Sequence, residues 1–358
     1  METVKFNIEK LTVNHKACVS EALRVIDASG QNIVFVIDES GVLLGCVTDG
    51  DVRRWILKGG KIEDDVTVMM NNHPKFLYEE DAADAMSVMR EKALTAMPIC
   101  NHNMVLIDIV CRENRRNWNI ANKGLMRDVP VVIMAGGKGT RLYPYTKILP
   151  KPLIPIGDVP IMEHIIQRFC HFGCNTYHVI VNYKKNMIKA YFNEIEKDYS
   201  LDYVDEDTPL GTGGGLSLLR GKLDRTFVLS NCDILIEDNF EAMYEYHKAQ
   251  GNVVTMICSL KNYDIPYGVV NFSEGGVIES MEEKPTVSFF TNTGCYIVEP
   301  EIFDYIPDNT FIGFPDIIEK CKAAGKRVGV YPISEQAWLD MGQMDTMEQM
   351  RERLEGQQ

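Results

Sequence analysis

Short apolar runs alternate with amphipathic stretches from residue 130 to residue 251, and that order admits few folds. VVIMA (131–135), HVIVNY (178–183), LDYVDE (201–206) and TFVLSNCD (226–233) have the length and content of buried strands. Between them lie PIMEHIIQRFCHF (160–172), an amphipathic helix stopped by Gly173, then KNMIKAYFNEIEKD (185–198) and GGGLSLLRG (213–221). NFEAMYEYHKAQG (239–251) follows the last strand. This alternation predicts an α/β fold, a parallel sheet with helices on both faces. After residue 252 strand-like runs dominate: NVVTMICSL, YGVVNFS, VIESMEE and VSFFTNTGCYIV. One further helix, PDIIEKCKAAG, precedes RVGVYPI, so an antiparallel portion is added to a doubly wound core.

The first 111 residues read as a duplication. VSEALRVID (19–27) and then IVFVIDESGVLLGCVTDGD (33–51) give a helix followed by two short strands. DAADAMSVMREKA (81–93) and AMPICNHNMVLIDIVC (96–111) repeat the order, which predicts two copies of a small α/β unit packed together. Residues 112–128, RENRRNWNIANKGLMRD, are polar and mixed in charge and read as a linker. The expected domains are therefore 1–111, a linker at 112–128, and 129–358.

One loop stands apart from the charge of the whole. Residues 134–157, MAGGKGTRLYPYTKILPKPLIPIG, hold Lys138, Arg141, Lys147 and Lys151 and no acid, in a chain of net charge −14. Residues 1–128 carry 16 basic and 19 acidic residues, and 129–358 carry 21 and 32. That balance argues against nucleic-acid binding, which draws its affinity from Lys and Arg on phosphates. A bare basic loop in an acidic domain suits a small, highly charged anion. Loops at the carboxyl ends of strands are where open α/β sheets bind ligands. Gly136, Gly137 and Gly139 let backbone N–H groups approach phosphate oxygens, Arg141 can fork onto a phosphate, and Pro150 and Pro152 stiffen the backbone around Lys151. The Walker A pattern and GxGxxG are both absent, since Leu142 stands at the last glycine position. His164, Cys170, His171, Cys174 and His178 lack the tight spacing of a zinc site. The ten cysteines form no CxxC pair and suit a reducing, cytoplasmic setting; no apolar run approaches the ~20 residues of a membrane helix.

On GGKGTRL followed by PKPLIP, residues 130–345 resemble the sugar-1-phosphate nucleotidyltransferase (nucleotide-sugar pyrophosphorylase) family, with a Rossmann-like mixed sheet. On GCVTDGDVRR (45–54), residues 1–111 resemble a tandem CBS pair. The two together are similar to guanylyltransferases acting on glucosamine 1-phosphate in legionaminic acid biosynthesis. The resemblance implies transfer of a nucleotidyl group to a sugar 1-phosphate with release of pyrophosphate, assisted by Mg²⁺.

It also implies roles for particular residues. Arg141 would hold the departing phosphates, Lys151 the α-phosphate, and Lys284, in MEEKP, the phosphate of the sugar. Ala135, Gly136, Gly137, Gly139, Thr140, Glu206 and Gly211 would line the nucleotide site. Gly268, Glu283, Asn292 and Thr293 would meet the sugar, and Asp233 and Asp340 would hold Mg²⁺. Many thymidylyl- and uridylyltransferases have Gln where Glu206 stands. A carboxylate can accept from guanine N1–H and N2–H₂ together, which favours GTP. Cys232 stands where the family often has Gly. In the amino-terminal module Thr48 and Asp51 would hold the ribose of an adenine nucleotide. In the second copy Val110 and Glu113 occupy those positions, so one site reads as usable and the other as degenerate. Such modules often pair, which suggests a homo-oligomer. Mannose 1-phosphate is the nearest rival substrate, and a noncatalytic nucleotide sensor is the alternative of another class.

Overall fold

The computed structural model describes residues 4–5, 8–92, 94–111 and 124–355. Residues 112–123 of the expected linker lie outside them, as does Glu113. The chain groups into two compact units. One takes described residues from 1–117, 260–290 and 334–336; the other takes those from 118–259, 291–333 and 337–358. The sequence reading assigned 129–358 to a single domain, whereas two pieces of that span group with the amino-terminal residues.

In the amino-terminal residues the duplication is visible in strand pairing. Thr12–Asn14 runs parallel to Ile33–Ile37, which pairs antiparallel with Leu43–Thr48. Leu77–Tyr78 runs parallel to Ala96–Cys100, which pairs antiparallel with Leu106–Cys111. Both hairpins slip register at the same place, leaving Ile37 opposite Leu43 and Cys100 opposite Leu106. The turns match too. Asp38 Oδ1 accepts from Ser40 N and Val42 N at 2.8 and 2.9 Å, and Asn101 Oδ1 accepts from Asn103 N and Val105 N at 3.0 Å each. The copies are tied by Leu43 N donating to Met104 O and Leu106 N to Gly41 O, both at 2.9 Å. The helix Val19–Ser29 packs its apolar face on the first copy through Ala22, Leu23 and Ile26. A second helix, Asp49–Leu57, follows the first hairpin; the sequence reading ended its strand stretch at 51 and assigned nothing beyond it.

The second unit is built on the expected sheet. In spatial order its strands are Ser200–Asp205, Thr176–Val181, Val131–Ala135, Phe227–Asn231, Thr286–Val298, Val254–Asp264 and Val328–Ile333. The first four run parallel, and the fifth is antiparallel to the fourth. The ends of two strands, 260–264 and 286–290, are counted with the other unit. Val131, Ile133 and Ala135 enter one core while Val132 enters the other, so both faces are covered. That double burial is why VVIMA is apolar throughout rather than alternating. The helix Ile161–His171 buries Ile161, Met162, Ile165, Ile166 and Phe169, at helical spacing. The chain leaves Val131–Ala135 for strands on one side and returns with Phe227–Asn231 on the other. This reversal leaves a crevice at the carboxyl ends of those two strands. Among the described residues no helix is long and apolar enough to cross a membrane.

Candidate active site

At that crevice a cleft of about 470 Å³ is lined by Gly136, Gly137, Gly139, Thr140, Arg141, Lys151, Glu206, Gly211 and Asp233. Nine sequence-predicted residues from four segments thus meet in one place. Ala135 ends the strand beneath, fully buried.

Local geometry explains the loop. Gly139 has φ +64°, a left-handed value that side chains disfavour, and a Cβ there would lie 2.9 Å from Thr146 Cγ2 and 3.2 Å from Lys151 Cβ. Thr146, fully buried, donates its hydroxyl to Gly139 O at 2.8 Å, and Leu142 N donates to the same oxygen at 3.0 Å. The loop is thereby fixed with its backbone facing the cleft. A Cβ on Gly136 would lie 2.5 Å from Glu206 Oε2, so this glycine makes room for the carboxylate. Gly137 meets nothing within 4 Å and has no left-handed φ, which leaves open space at the cleft. Arg141 is exposed and has no carboxylate partner among the described residues, so its guanidinium remains available to an anion. Lys151 starts a short turn, Lys151–Leu153, after Pro150, and its ammonium pairs with the Asp233 carboxylate.

A second cleft, of about 320 Å³, shares Arg141, Thr212, Asn231 and Asp233 with the first and adds Asn292, Thr293 and Asp340 among others. The two aspartates are brought together by an antiparallel ladder between Ile234–Ile236 and Trp338–Asp340, in which Ile234 faces Asp340. Met341 N donates to Asp233 O at 2.8 Å and extends that ladder by one step. Two carboxylates on one cleft beside an anion-ready arginine form a hard-oxygen set of the kind Mg²⁺ takes, with phosphate oxygens and water completing it. Asp233 and Asp340 therefore fit a magnesium ion.

Glu206 follows the strand Ser200–Asp205 and is only 5% exposed. Asn182 Nδ2 donates to Glu206 O at 2.8 Å, and Glu206 N donates to Val181 O at 2.9 Å. Burial raises the carboxyl's pKa, and the Leu210 backbone N–H offsets part of that. Its Oε1 has no hydrogen-bond partner. A buried acceptor left open costs roughly 1–3 kcal/mol unless something donates to it. Asp205, its neighbour, is instead exposed and held below the usual carboxylate range, chiefly by Lys189.

The remaining predicted residues divide. Asn292 is locked by donating to Tyr296 Oη at 2.6 Å and accepting from Gly294 N at 2.9 Å. The Thr293 hydroxyl is already committed, donating to Ile257 O at 2.8 Å and accepting from Cys295 N at 3.3 Å, so it shapes the cleft rather than offering a free hydroxyl. Gly268, Glu283 and Lys284 belong to the other unit. There they flank the hairpin of Val269–Phe272 and Ile278–Glu282, and a Cβ on Gly268 would sit 2.9 Å from Glu283 Oε2. Lys284 has φ +49°, an uncommon backbone state for a side-chain-bearing residue. Thr48 and Asp51 form a helix cap. Asp51 N donates to Thr48 Oγ1 at 3.2 Å, Thr48 N donates to Asp51 Oδ2 at 2.9 Å, and Arg54 pairs with Asp51. Asn231, Thr212 and Phe311 are among the cleft residues that the sequence does not single out. Asn231 packs against Gly294, whose φ is +84° and whose would-be Cβ would collide with the Asn231 amide, a contact that sequence does not announce.

Comparison with known proteins agrees with this architecture. The family model described as nucleotidyl transferase matches residues 130–357, and the CBS domain model matches residues 11–58. The chain is 34% identical over 226 residues to a mannose-1-phosphate guanyltransferase of Pichia angusta, covering 59% of this chain and 60% of that protein. It is 32% identical over 234 residues to a UTP–glucose-1-phosphate uridylyltransferase of Synechocystis sp., covering 60% of each. It is 31% identical over 229 residues to a mannose-1-phosphate guanylyltransferase of Mycobacterium tuberculosis, covering 60% of this chain and 61% of that one. The chain thus spans about 60% of the length of these curated relatives. The crystal structure of HddC from Yersinia pseudotuberculosis superposes with a TM-score of 0.51 at 21% identity, over 63% of this chain and 99% of that one, a likeness of fold.

Proposed function

Since the chain belongs to the nucleotidyl transferase family, we propose that it transfers GMP from GTP to a sugar 1-phosphate, glucosamine 1-phosphate by preference, and releases pyrophosphate. The observation that carries the reaction is that the glycine loop, Arg141, Lys151 and Asp233 line one cleft, while Arg141, Asp233 and Asp340 line a second that shares residues with it. An oxygen of the sugar phosphate attacks the α-phosphorus in line. The new O–P bond forms as the bond to the β-phosphate breaks, and pyrophosphate carries away the bonding pair. Such a reaction needs positioning and charge neutralisation more than covalent help from the protein. Arg141 holds the β- and γ-phosphates. Lys151, held on Asp233 in the free protein, exchanges that carboxylate for the α-phosphate, where charge develops. Mg²⁺, held by Asp233 and Asp340, would supply neutralisation of the triphosphate charge.

Glu206 supports guanine. Its Oε1 is buried without a hydrogen-bond partner, and a carboxylate can accept from N1–H and N2–H₂ together, whereas uracil and thymine offer one N–H. A buried polar mismatch of this kind supports large discrimination. Two of the relatives above carry the name mannose-1-phosphate guanyl(yl)transferase, which makes mannose 1-phosphate the rival acceptor. In the amino-terminal module the Thr48–Asp51 pair is the candidate for an adenine nucleotide, with its cap bonds to be exchanged for ribose hydroxyls. The test is pyrophosphate release with Mg²⁺ across four NTPs and the 1-phosphates of glucosamine, N-acetylglucosamine, mannose and glucose. GTP with glucosamine 1-phosphate is expected to turn over fastest. Equal rates with UTP would remove the guanine reading, and silence across the grid in folded protein would favour the sensor.

A further inference from the structure

We infer that Phe311 forms an aromatic cover for the nucleotide base, a reading that rests on the nucleotide site proposed above. Phe311 lines the larger cleft together with Glu206 and Gly211, yet is 74% exposed. Single exposed apolar residues are ordinary; what sets this one apart is how its backbone is held. Ile312 O accepts from Gly213 N at 3.0 Å and from Gly214 N at 3.1 Å, and Ile312 N donates to Leu210 O at 3.0 Å. Phe314 N donates to Thr212 Oγ1 at 3.1 Å. A Cβ on Gly211 would lie 2.7 Å from Ile312 O, and one on Gly214 would collide with Thr310 O. Gly211, Gly213 and Gly214 of GTGGG therefore admit the 310–313 backbone, and the last glycine of the run, Gly215, admits Glu206 Oε1 at 2.5 Å from its would-be Cβ. On its other side Arg220 donates to Phe303 O at 2.6 Å and to Ile306 O at 2.7 Å, and pairs with Asp308.

An exposed ring is thus clasped to the same five-residue run that follows Glu206, with both ends of its loop tied down. Glu206 offers acceptors for a base edge; Phe311 offers a π face. The two act differently. Every base has a π face, so stacking is tolerant of base identity and worth roughly tenfold or more in affinity. Hydrogen bonds to Glu206 discriminate among bases.

The test is equilibrium binding of GTP, UTP and ATP to the full chain, with steady-state kinetics alongside. Phe311→Ala is expected to weaken GTP and the other nucleotides about tenfold alike, raising KM for GTP with kcat within about twofold. Phe311→Trp should restore affinity and report binding by quenching of its fluorescence, while Phe311→Leu should not restore it. The ring is exposed, and unchanged melting of the variants would show that the fold is intact. Wild-type binding of GTP with equal binding by Phe311→Ala overturns the inference alone. Binding that depends on Phe311 without any turnover overturns the transferase reading and leaves the stacking intact. A wild-type chain that binds no nucleotide overturns both.

Discussion

Lys151 and Asp233 are paired in the free protein, and that pairing sets what each substitution should do. Losing a cation aimed at developing phosphate charge commonly costs about 10²- to 10³-fold in rate. Lys151→Ala should therefore lower kcat by that order, and Asp233→Asn should lower it if Asp233 serves as the proposed magnesium ligand. Circular dichroism and melting should be close to wild type for both, because each residue sits at a cleft rather than in a core. Full turnover by both variants would dismiss the site. Much of this was legible in sequence. A glycine run with three following cations after a fully apolar strand has a local cause, and Gly139's φ and contacts supply it. Phe311 and Asn231 were not legible, since an exposed phenylalanine has no period. The residues that explain the GTGGG run and Gly294 lie far away in the chain, at 310–313 for Gly211 and Gly214 and at 231 for Gly294.

Elements report a second set of causes. Arg168 lies on the helix Ile161–His171, is 4% exposed, and donates to Ile236 O at 3.0 Å and Asp238 O at 2.8 Å. Its guanidinium also lies 4.9 Å from the Phe172 ring. It anchors the segment that carries Ile234–Ile236 and, through that ladder, Asp340. Arg168→Ala leaves two carbonyls without that donor and should destabilise the chain by about 1–3 kcal/mol in denaturant melts. Helices with a broad apolar face were easy to place from sequence. The sequence reading does not include the helix Met344–Glu355, whose fully buried stripe is thin: Met347 and Met350 are buried, Leu354 packs against the core partly exposed, and Met344 is exposed. The Ile234–Ile236 and Trp338–Asp340 strands are three residues each and a hundred positions apart, too short for any period to declare them.

Across the whole molecule, the domain reading from sequence is linear while the compact units are not: the chain crosses between them at 259–260, 290–291, 333–334 and 336–337. A composition shift marks one boundary and cannot mark returns of three residues such as 334–336. Opposing pH effects follow, one in each unit. Asp27 is pushed up to about 7, first by burial and then by Asp49 and Glu335, against partial relief from the Glu335 amide and Lys261. Its folded pKa exceeds the unfolded one, so its penalty is absent below about pH 4 and complete above pH 7. Asp27→Asn should raise the melting temperature more at pH 8 than at pH 5. Glu299 behaves oppositely. Burial would raise it, but hydrogen bonds from His247, Lys248 and Thr226 outweigh that and hold it at about 2. Its stabilisation is present above about pH 4.5 and is lost as pH falls toward 2. Glu299→Gln should melt below wild type at pH 7, with the gap closing in acid.

Glu206 joins these scales: one residue, placed by a strand end and two glycines, is held to set which nucleotide the molecule uses. The most direct measurement is the rate of pyrophosphate release from GTP and from UTP, in wild type and in Glu206→Gln. Wild type should prefer GTP by at least about tenfold, and the variant should lose most of that preference while keeping its fold. A wild-type preference that the substitution leaves unchanged would contradict the account.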